Sequence, residues 1–406
     1  MIRNTVGLPV RGEDFFDREE LIQELWNRLE AGNILLAAPR RFGKTSLMYH
    51  LLDNPKPRWN PIHIDAESII EPINFIIALL DALMADRKIR KFLSSALKKT
   101  YNWTAKILDD LEVGLPYDFK VKIKLKDILK QNWKDYGEKL LSMLGKYDKN
   151  EKLLIIIDEL PVMLYLFRDN GLSDKDTRAF LYWFRKLRTD PRIGLTNCRF
   201  LIGGSIGIEN FLSQIKATDS FNDFERRTIP ELGKDCAIDL LKKLGESHKL
   251  KLSPLARKKI LELIGIPFPY FIQIFVSELS NELANHPNRI NPKFLEKLYE
   301  ERILGTWCKS YFHSYYERLC RYEKTQEVAA KALLKELALA FPNGISIDKL
   351  KVMYDESVGS IVPIETFNQL LNNLENDFYI KYSKEDNGYI FASKILCDWW
   401  RRYYAF

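Results

Sequence analysis

Between Ala38 and Thr45 the chain reads Ala-Pro-Arg-Arg-Phe-Gly-Lys-Thr, and this octet restricts the fold more than any other stretch. It fits the pattern Gly-x-x-x-x-Gly-Lys-Ser/Thr at every fixed position except the first, where alanine stands for glycine. Before it, Asn33–Ala38 is a short apolar run between Gly32 and Pro39, the pattern of a buried strand. After it, a helix is expected from near Gly43 through Leu52, ending ahead of Asn54-Pro55-Lys56-Pro57. A loop between a strand end and a helix start turns its backbone N–H groups inward, where they can cradle a phosphate. Gly43 then admits close backbone approach, Lys44 reaches β and γ oxygens, and the Thr45 hydroxyl binds Mg²⁺. The alternative is a strand–turn–helix that matches the pattern by chance.

A second stretch bears on that choice. Ile155-Ile156-Ile157 is an apolar strand core that ends in Asp158-Glu159. Asp158 at the strand's end can hold the Mg²⁺ shell, and Glu159 can polarise an attacking water. In-line phosphoryl transfer needs those two roles close together but distinct. Solvated acids capping an ordinary strand would look the same in isolation; beside the loop, the pair points to a nucleoside triphosphate site. A third strand, Phe200–Gly203, ends in Gly204-Ser205. Ser205 is placed to sense the γ-phosphate or the water, although an ordinary turn explains it equally well.

Strands expected at Asn33–Ala38, Ile62–Ala66, Leu153–Ile157 and Phe200–Gly203 alternate with helical patterns, which indicates an α/β domain with a largely parallel sheet. From about Phe221 the pattern turns helical, through Asp235–Leu244, Pro254–Ile264 and Tyr270–Ala284. A small C-terminal module follows: helices at Thr325–Leu339, Ile347–Met353 and Ile364–Leu374, then strands Phe378–Tyr382 and Tyr389–Ala392 joined through Asn387-Gly388. Helix–helix–helix–hairpin is winged-helix order.

The net charge of +7 is concentrated in one segment, because residues 85–152 hold 17 Lys and Arg against 10 Asp and Glu. Within it, Phe119–Lys126 alternates apolar residues with Lys120, Lys122, Lys124 and Lys126, the pattern of a strand with one all-lysine face. Such a row can follow a nucleic-acid backbone, or can guard a sheet edge against aggregation. The expected recognition helix of the C-terminal module, from Ile364 to Glu375, has no Lys or Arg, so it suits packing or protein contact at least as well as DNA. Five scattered cysteines without a Cys-x-x-Cys pair read as reduced thiols, and no His and Cys spacing makes a zinc site. The longest apolar stretch, Ile69–Met84, is broken by Glu71, Pro72 and Asp81, and the N-terminus lacks the apolar core of a signal peptide. A soluble cytoplasmic protein with no membrane partner is the expectation.

Pro39-Arg40-Arg41-Phe42-Gly43-Lys44-Thr45-Ser46-Leu47 resembles the PRRxGKTSL loop of the archaeal-type P-loop ATPases, near the STAND and origin-recognition branches of the AAA+ class. Phe16-Asp17-Arg18-Glu19 is similar to the FxGRE box that opens those domains, with Asp17 where glycine is usual. Asp158-Glu159-Leu160-Pro161 resembles their DE box, Gly203-Gly204-Ser205 their sensor-1 segment, Pro267, Pro269-Tyr270 and Gln273 their lid, and Trp399-Trp400-Arg401-Arg402 the end of their winged helix. The resemblance implies an AAA+-like core over 1–220, a helical lid over 221–305 and a winged-helix-like domain over 306–406. It implies ATP rather than GTP, with Mg²⁺, bound through Pro39, Arg40, Arg41, Phe42, Gly43, Lys44, Thr45 and Ser46, with Thr45 and Asp158 on the metal, and with Glu159, Lys44 and Ser205 in catalysis. Arg40, Arg41, Arg199, Arg226 and Arg227 are the arginines able to complete such a site, each with a surface ion pair as its alternative role. The resemblance also implies a homo-oligomer. The expected function is an ATP-hydrolysing switch or motor acting on nucleic acid; the alternative is a STAND-like signalling or defence switch that gates a protein partner through the winged helix.

Overall fold

The computed structural model describes residues 2–39, 41–100, 126, 129–130, 132–147, 150–193, 197–204, 207–283 and 290–405. The described chain divides into two compact units: Arg18–Ala37 with Leu47–Thr228, and Met1–Asp17 with Ala38–Ser46 and Ile229–Phe406.

The first unit is built on five strands, β1 (Asn33–Ala37), β2 (Trp59–Asp65), β3 (Lys152–Asp158), β4 (Cys198–Gly204) and β5 (Phe224–Thr228). They lie in the order β2-β3-β4-β1-β5, and every pairing is parallel. β3 is buried from Leu153 to Asp158, as its unbroken apolar run requires of a strand covered on both faces. β5 corrects the sequence reading, which turned helical at Phe221. Its sequence Phe-Glu-Arg-Arg-Thr shows neither an apolar run nor alternation, because it is an edge strand paired only with β1 and has no fully buried residue.

Helices α1 (Glu19–Ala31), α2 (Lys44–Asp53), α3 (Pro72–Ala85), α4 (Arg87–Thr100), α5 (Trp133–Leu144), α6 (Leu160–Asp169), α7 (Asp174–Thr189) and α8 (Ile208–Gln214) complete the connections among the described residues. Their starts follow local chemistry. Pro72 opens α3, where its missing N–H costs nothing, and the Ser173 hydroxyl accepts the Asp176 N–H at the head of α7. The core joins sheet residues Ile155, Ile157, Phe200 and Ile202 to Phe75, Phe167, Phe180 and Phe184 of the helices. Phe180 meets Phe75 and Phe167 edge-on at 5.4 and 5.3 Å, the geometry that opposed ring quadrupoles favour.

Of the expected lysine strand, Lys120, Lys122 and Lys124 lie outside the described residues. Lys126 is described, in helical rather than extended backbone, and its ammonium pairs with Glu71 at 2.5 Å. The alternation rule therefore fails at that last lysine, where a local ion pair and helix take precedence.

The second unit contains α9 (Lys234–Ser247), α10 (Pro254–Ile264), α11 (Pro269–Leu283), α12 (Pro292–Leu298), α13 (Lys309–Arg318), α14 (Lys324–Ala340), β6 (Ile345–Ser346), α15 (Ile347–Val358), α16 (Ile364–Asn376), β7 (Ile380–Ser383), β8 (Gly388–Phe391) and α17 (Lys394–Tyr404). α10 begins where Ser253 caps it and Pro254 fixes its first turn. β6, β8 and β7 form an antiparallel sheet in that order. Helix α14, strand, two helices and a hairpin follow the expected order, with the two-residue β6 added; so short a strand leaves no pattern to read. Trp399 and Trp400 of α17 are fully buried, and Trp399 stacks on Phe312 of α13. No described helix is long and apolar enough to cross a membrane.

Candidate functional site

The loop from Ala38 to Gly43 leaves β1 and leads into α2, which begins at Lys44. Gly43 has φ +89° and Arg41 φ +67°, so the chain makes two left-handed steps in three residues. Glycine adopts that conformation freely; an arginine does so only where its surroundings hold it there. Lys44 is buried, and its Nζ donates to the carbonyls of Ala38 at 2.7 Å and Pro39 at 3.2 Å. Those two oxygens fix the ammonium over the loop's own backbone, so little side-chain entropy remains to be lost when an anion arrives. Thr45 follows in the first turn of α2, where the unsatisfied N–H groups and the helix dipole favour negative charge.

The side chains of Arg41, Phe42 and Ser46 are committed to protein contacts within the same unit. Phe42 is 2% exposed and packs against Phe268 at 3.8 Å, Phe378 at 5.2 Å and Phe271 at 6.3 Å between ring centroids. The Arg41 guanidinium donates to the Tyr270 hydroxyl and lies 5.0 Å from the Tyr270 ring and 5.7 Å from the Tyr311 ring. Burial pushes the Tyr270 phenol well above its ordinary pKa, so it is neutral and can accept that bond. The Ser46 hydroxyl accepts the Val10 N–H at 3.0 Å, and Asn4 donates to the Gln273 carbonyl at 3.1 Å. The N-terminal strap is thus stitched to the loop and to α11. Asp17, where the resembled box has glycine, sits at φ +58°, a conformation that aspartate tolerates better than most residues.

In the other unit, Asp158 ends β3 with 4% exposure, and its Oδ1 accepts the Glu159 N–H at 3.0 Å. Glu159 has φ +54° and precedes α6, whose second residue is Pro161. A glutamate held left-handed at a strand end is an observed backbone outlier of the kind that clusters at functional sites. The register places Ala37 of β1 beside Gly204 and Ile157 of β3 beside Ile202, so β1 and β3 end on either side of β4. Gly203 makes room for the acid. A Cβ there would stand 2.6 Å from Asp158 Oδ1 and 2.5 Å from Met48 Cε. Sequence reading named Gly203 as the last residue of a strand and as part of a resemblance; its steric role is visible only in the sheet. The grip of Phe268, Tyr270, Tyr311 and Phe378 on the loop also went unread, since residues more than two hundred positions apart leave no local signal.

The candidate arginines separate. Arg199 is the second residue of β4, beside Leu154, which puts it at the opposite edge of the sheet from Gly204, roughly 16 Å away at about 3.3 Å per residue. It cannot complete a site at the carboxyl edge of its own sheet. Arg226 and Arg227 are not at the start of a helical lid but in β5, beside Leu35 and Leu36. Arg226 pairs with Glu209 at 2.6 Å, and Arg227 with Glu225 and, at 3.6 Å, with Glu24. Arg40 and Ser205 lie outside the described residues.

The close approach at Gly203 yields a direct test. Gly203→Ala forces both the Asp158 carboxylate and the flexible end of Met48 to move, and overpacking of this kind costs about 1–3 kcal/mol. Denaturant unfolding without any ligand should show a loss of that size, and an unchanged midpoint would mean that the carboxylate is not seated against β4.

No family model matches the sequence, and no curated protein matches it. Solved structures do match. The Walker-type ATPase of Pyrococcus abyssi is 19% identical, with a TM-score of 0.61 over 97% of this chain and 98% of that one. The ORC2 protein of Aeropyrum pernix, solved as ADPNP–ADP complexes, is 11% identical, with a TM-score of 0.52 over 96% and 95% of the two chains. From end to end the chain therefore carries the fold of these archaeal proteins, the AAA+-type P-loop fold that its motifs resemble.

Proposed function

We propose that the chain binds ATP with Mg²⁺ and hydrolyses it. The observation that carries this reading is the strand order: β1, which feeds the loop, and β3, which ends in Asp158, flank β4 and terminate at the same edge of a parallel sheet. At such an edge, outside the carboxyl ends of the strands, open α/β sheets bind their ligands. Lys44 offsets the charge of the β and γ phosphates. Backbone N–H groups from Arg40 to Thr45 cradle them, and the side chains of Arg41, Phe42 and Ser46 stay with their protein partners. Thr45 and Asp158 are the residues that would hold the metal. The cleft beside Gly203, which a Cβ would close, suits a carboxylate kept for that use. Bound there, Mg²⁺ would neutralise charge on the phosphate oxygens. Glu159 takes the proton of the attacking water, and Ser205, the residue that follows Gly204 in sequence, orients that water or the γ-phosphate.

Adenine is favoured because no Asn-Lys-x-Asp segment for guanine is present, and the Aeropyrum protein of like fold was solved with adenine nucleotides. With Arg199 excluded, an arginine from a second copy is the simplest source of the finger, which supports a homo-oligomer; a strict monomer by light scattering in ATP would remove that part. The functional plan has three parts, a core that includes β5, a helical lid from about residue 229 to about 305 and the C-terminal module, in a cytoplasmic location. The cargo is nucleic acid in the first reading, on the strength of the basic segment. A second reading, a switch gating a protein partner, is favoured by the C-terminal module: α16 has no Lys or Arg, and from Arg321 onward 11 basic residues face 12 acidic ones.

Two outcomes follow. Lys44→Ala should weaken ATP binding by roughly 100-fold, the scale of removing one partner of a buried charge pair. Glu159→Gln should bind normally and lower turnover by about 10²–10⁴, the usual share of a general base. Phosphate release at the wild-type rate from Glu159→Gln would reject the assignment. For the cargo, replacing Lys120, Lys122 and Lys124 by serine should lower DNA affinity. It should also flatten its dependence on log salt by about 0.9 for each phosphate that is no longer neutralised. Equal affinity and slope would transfer the case to the protein-gating reading.

A further inference from the structure

α16 ends in a hydrogen-bonding pattern that normally requires glycine. The Tyr379 N–H donates to the Leu374 carbonyl at 2.9 Å and the Phe378 N–H to the Glu375 carbonyl at 2.9 Å. These are the two bonds of the helix-ending motif whose left-handed residue is usually glycine and sometimes asparagine. Here that residue is Phe378, at φ +62°. Beta-carbon crowding makes the conformation unfavourable for phenylalanine. A strained residue persists only where its surroundings hold it, and the fold of α16 alone would be better served by glycine.

What holds Phe378 is the phosphate loop. Its ring stands edge-on to Phe42, centroids 5.2 Å apart at 78°, and edge-on to Phe268, 5.4 Å apart at 82°. Phe42 and Phe268 are themselves in contact at 3.8 Å and both are buried. The three rings therefore form one closed triangle with one member from the loop, one from the residue that precedes α11, and one from the C-terminal module. Phe42 immediately precedes Gly43 and Lys44, so fixing its ring fixes the backbone that orients the lysine. On the other side Arg41 is held by Tyr270 and Tyr311. The left-handed Arg41 and the left-handed Phe378 thus face one aromatic cluster and are stabilised by it together.

We propose that Phe378 is a positioning residue for the phosphate loop: the C-terminal module inserts this ring to hold Phe42, and with it the Gly43-Lys44 turn, in the conformation that receives phosphate. The nucleotide part rests on the ATP-binding reading above. The positioning of the loop does not. Because both ends of the contact belong to one equilibrium, nucleotide binding and the seating of the module favour each other by the same factor.

The test uses the full chain and two substitutions. Phe378→Gly removes the ring but relaxes the backbone, so the helix end should fold at least as well as in the wild type. Phe378→Tyr restores the ring. The first readout needs no nucleotide: trypsin cleavage after Arg41, which is exposed, under native conditions. Such cleavage tracks the population of the opened loop. With two edge-to-face ring pairs removed, it should be about tenfold faster or more in Phe378→Gly and near the wild-type rate in Phe378→Tyr. The second readout is binding of a fluorescent ATP analogue and turnover. Phe378→Gly should raise Kd and KM by about the same factor as the cleavage rate and leave kcat at saturation unchanged. Wild-type cleavage and wild-type Kd in Phe378→Gly would overturn the proposal. A wild-type chain that binds no nucleotide would sink the ATP reading, and the cleavage comparison would still decide whether Phe378 positions the loop.

Discussion

Five strands that run the same way must finish at the same edge, and in this sheet that single fact organises the chemistry. With β4 lying between β1 and β3, the chain that leaves β1 and the acidic pair that ends β3 are separated by one strand, roughly 10 Å at about 4.8 Å per pairing. That strand must then be thin at its tip. Gly203 and Gly204 supply the thinness: a Cβ on the first would meet Asp158, and a Cβ on the second would come within 3.1 Å of Pro161. Apolar residues bury the strands from both faces, and glycines at one tip leave space for a carboxylate that could not otherwise be 4% exposed beside a packed sheet.

The loop obeys a different constraint. A loop that is to receive phosphate on its backbone N–H groups must have its side chains pointing elsewhere, and three described ones, those of Arg41, Phe42 and Ser46, go to definite places. Phe42 enters an aromatic cluster, the exposed Arg41 donates to a phenol and lies against two rings, and Ser46 holds the N-terminal strap. Flat cations stack on rings at modest cost in hydration, so an arginine suits a site that a lysine would not. The loop is therefore fixed by residues outside its motif, which is how an octet with alanine in place of its first glycine can still present a defined turn.

Much of this was legible in the sequence wherever the signal is local. The run Leu153–Ile157 announced a strand deep in the sheet, Pro254 marked a helix start to the residue, and Asn387-Gly388 marked the final hairpin. The octet and the Asp-Glu pair located the candidate site. What could not be read is non-local. β5 carries Glu-Arg-Arg because an edge strand needs no apolar face, β6 is too short to have a period, and Lys126 follows a helix and Glu71 instead of the alternation before it. Phe378 looked like the first residue of a strand; only the folded chain shows it ending a helix in a glycine conformation.

The central claim is that one bound nucleotide engages the loop and the acidic strand end together. Determining the structure of the chain with Mg²⁺ and a non-hydrolysable ATP analogue tests it most directly. The account predicts the β-phosphate inside the Ala38–Thr45 turn with Lys44 Nζ on its oxygens, and the metal shared between Thr45 and the Asp158 side of the sheet edge. Nucleotide bound away from that turn, or a metal held without either residue, would contradict it.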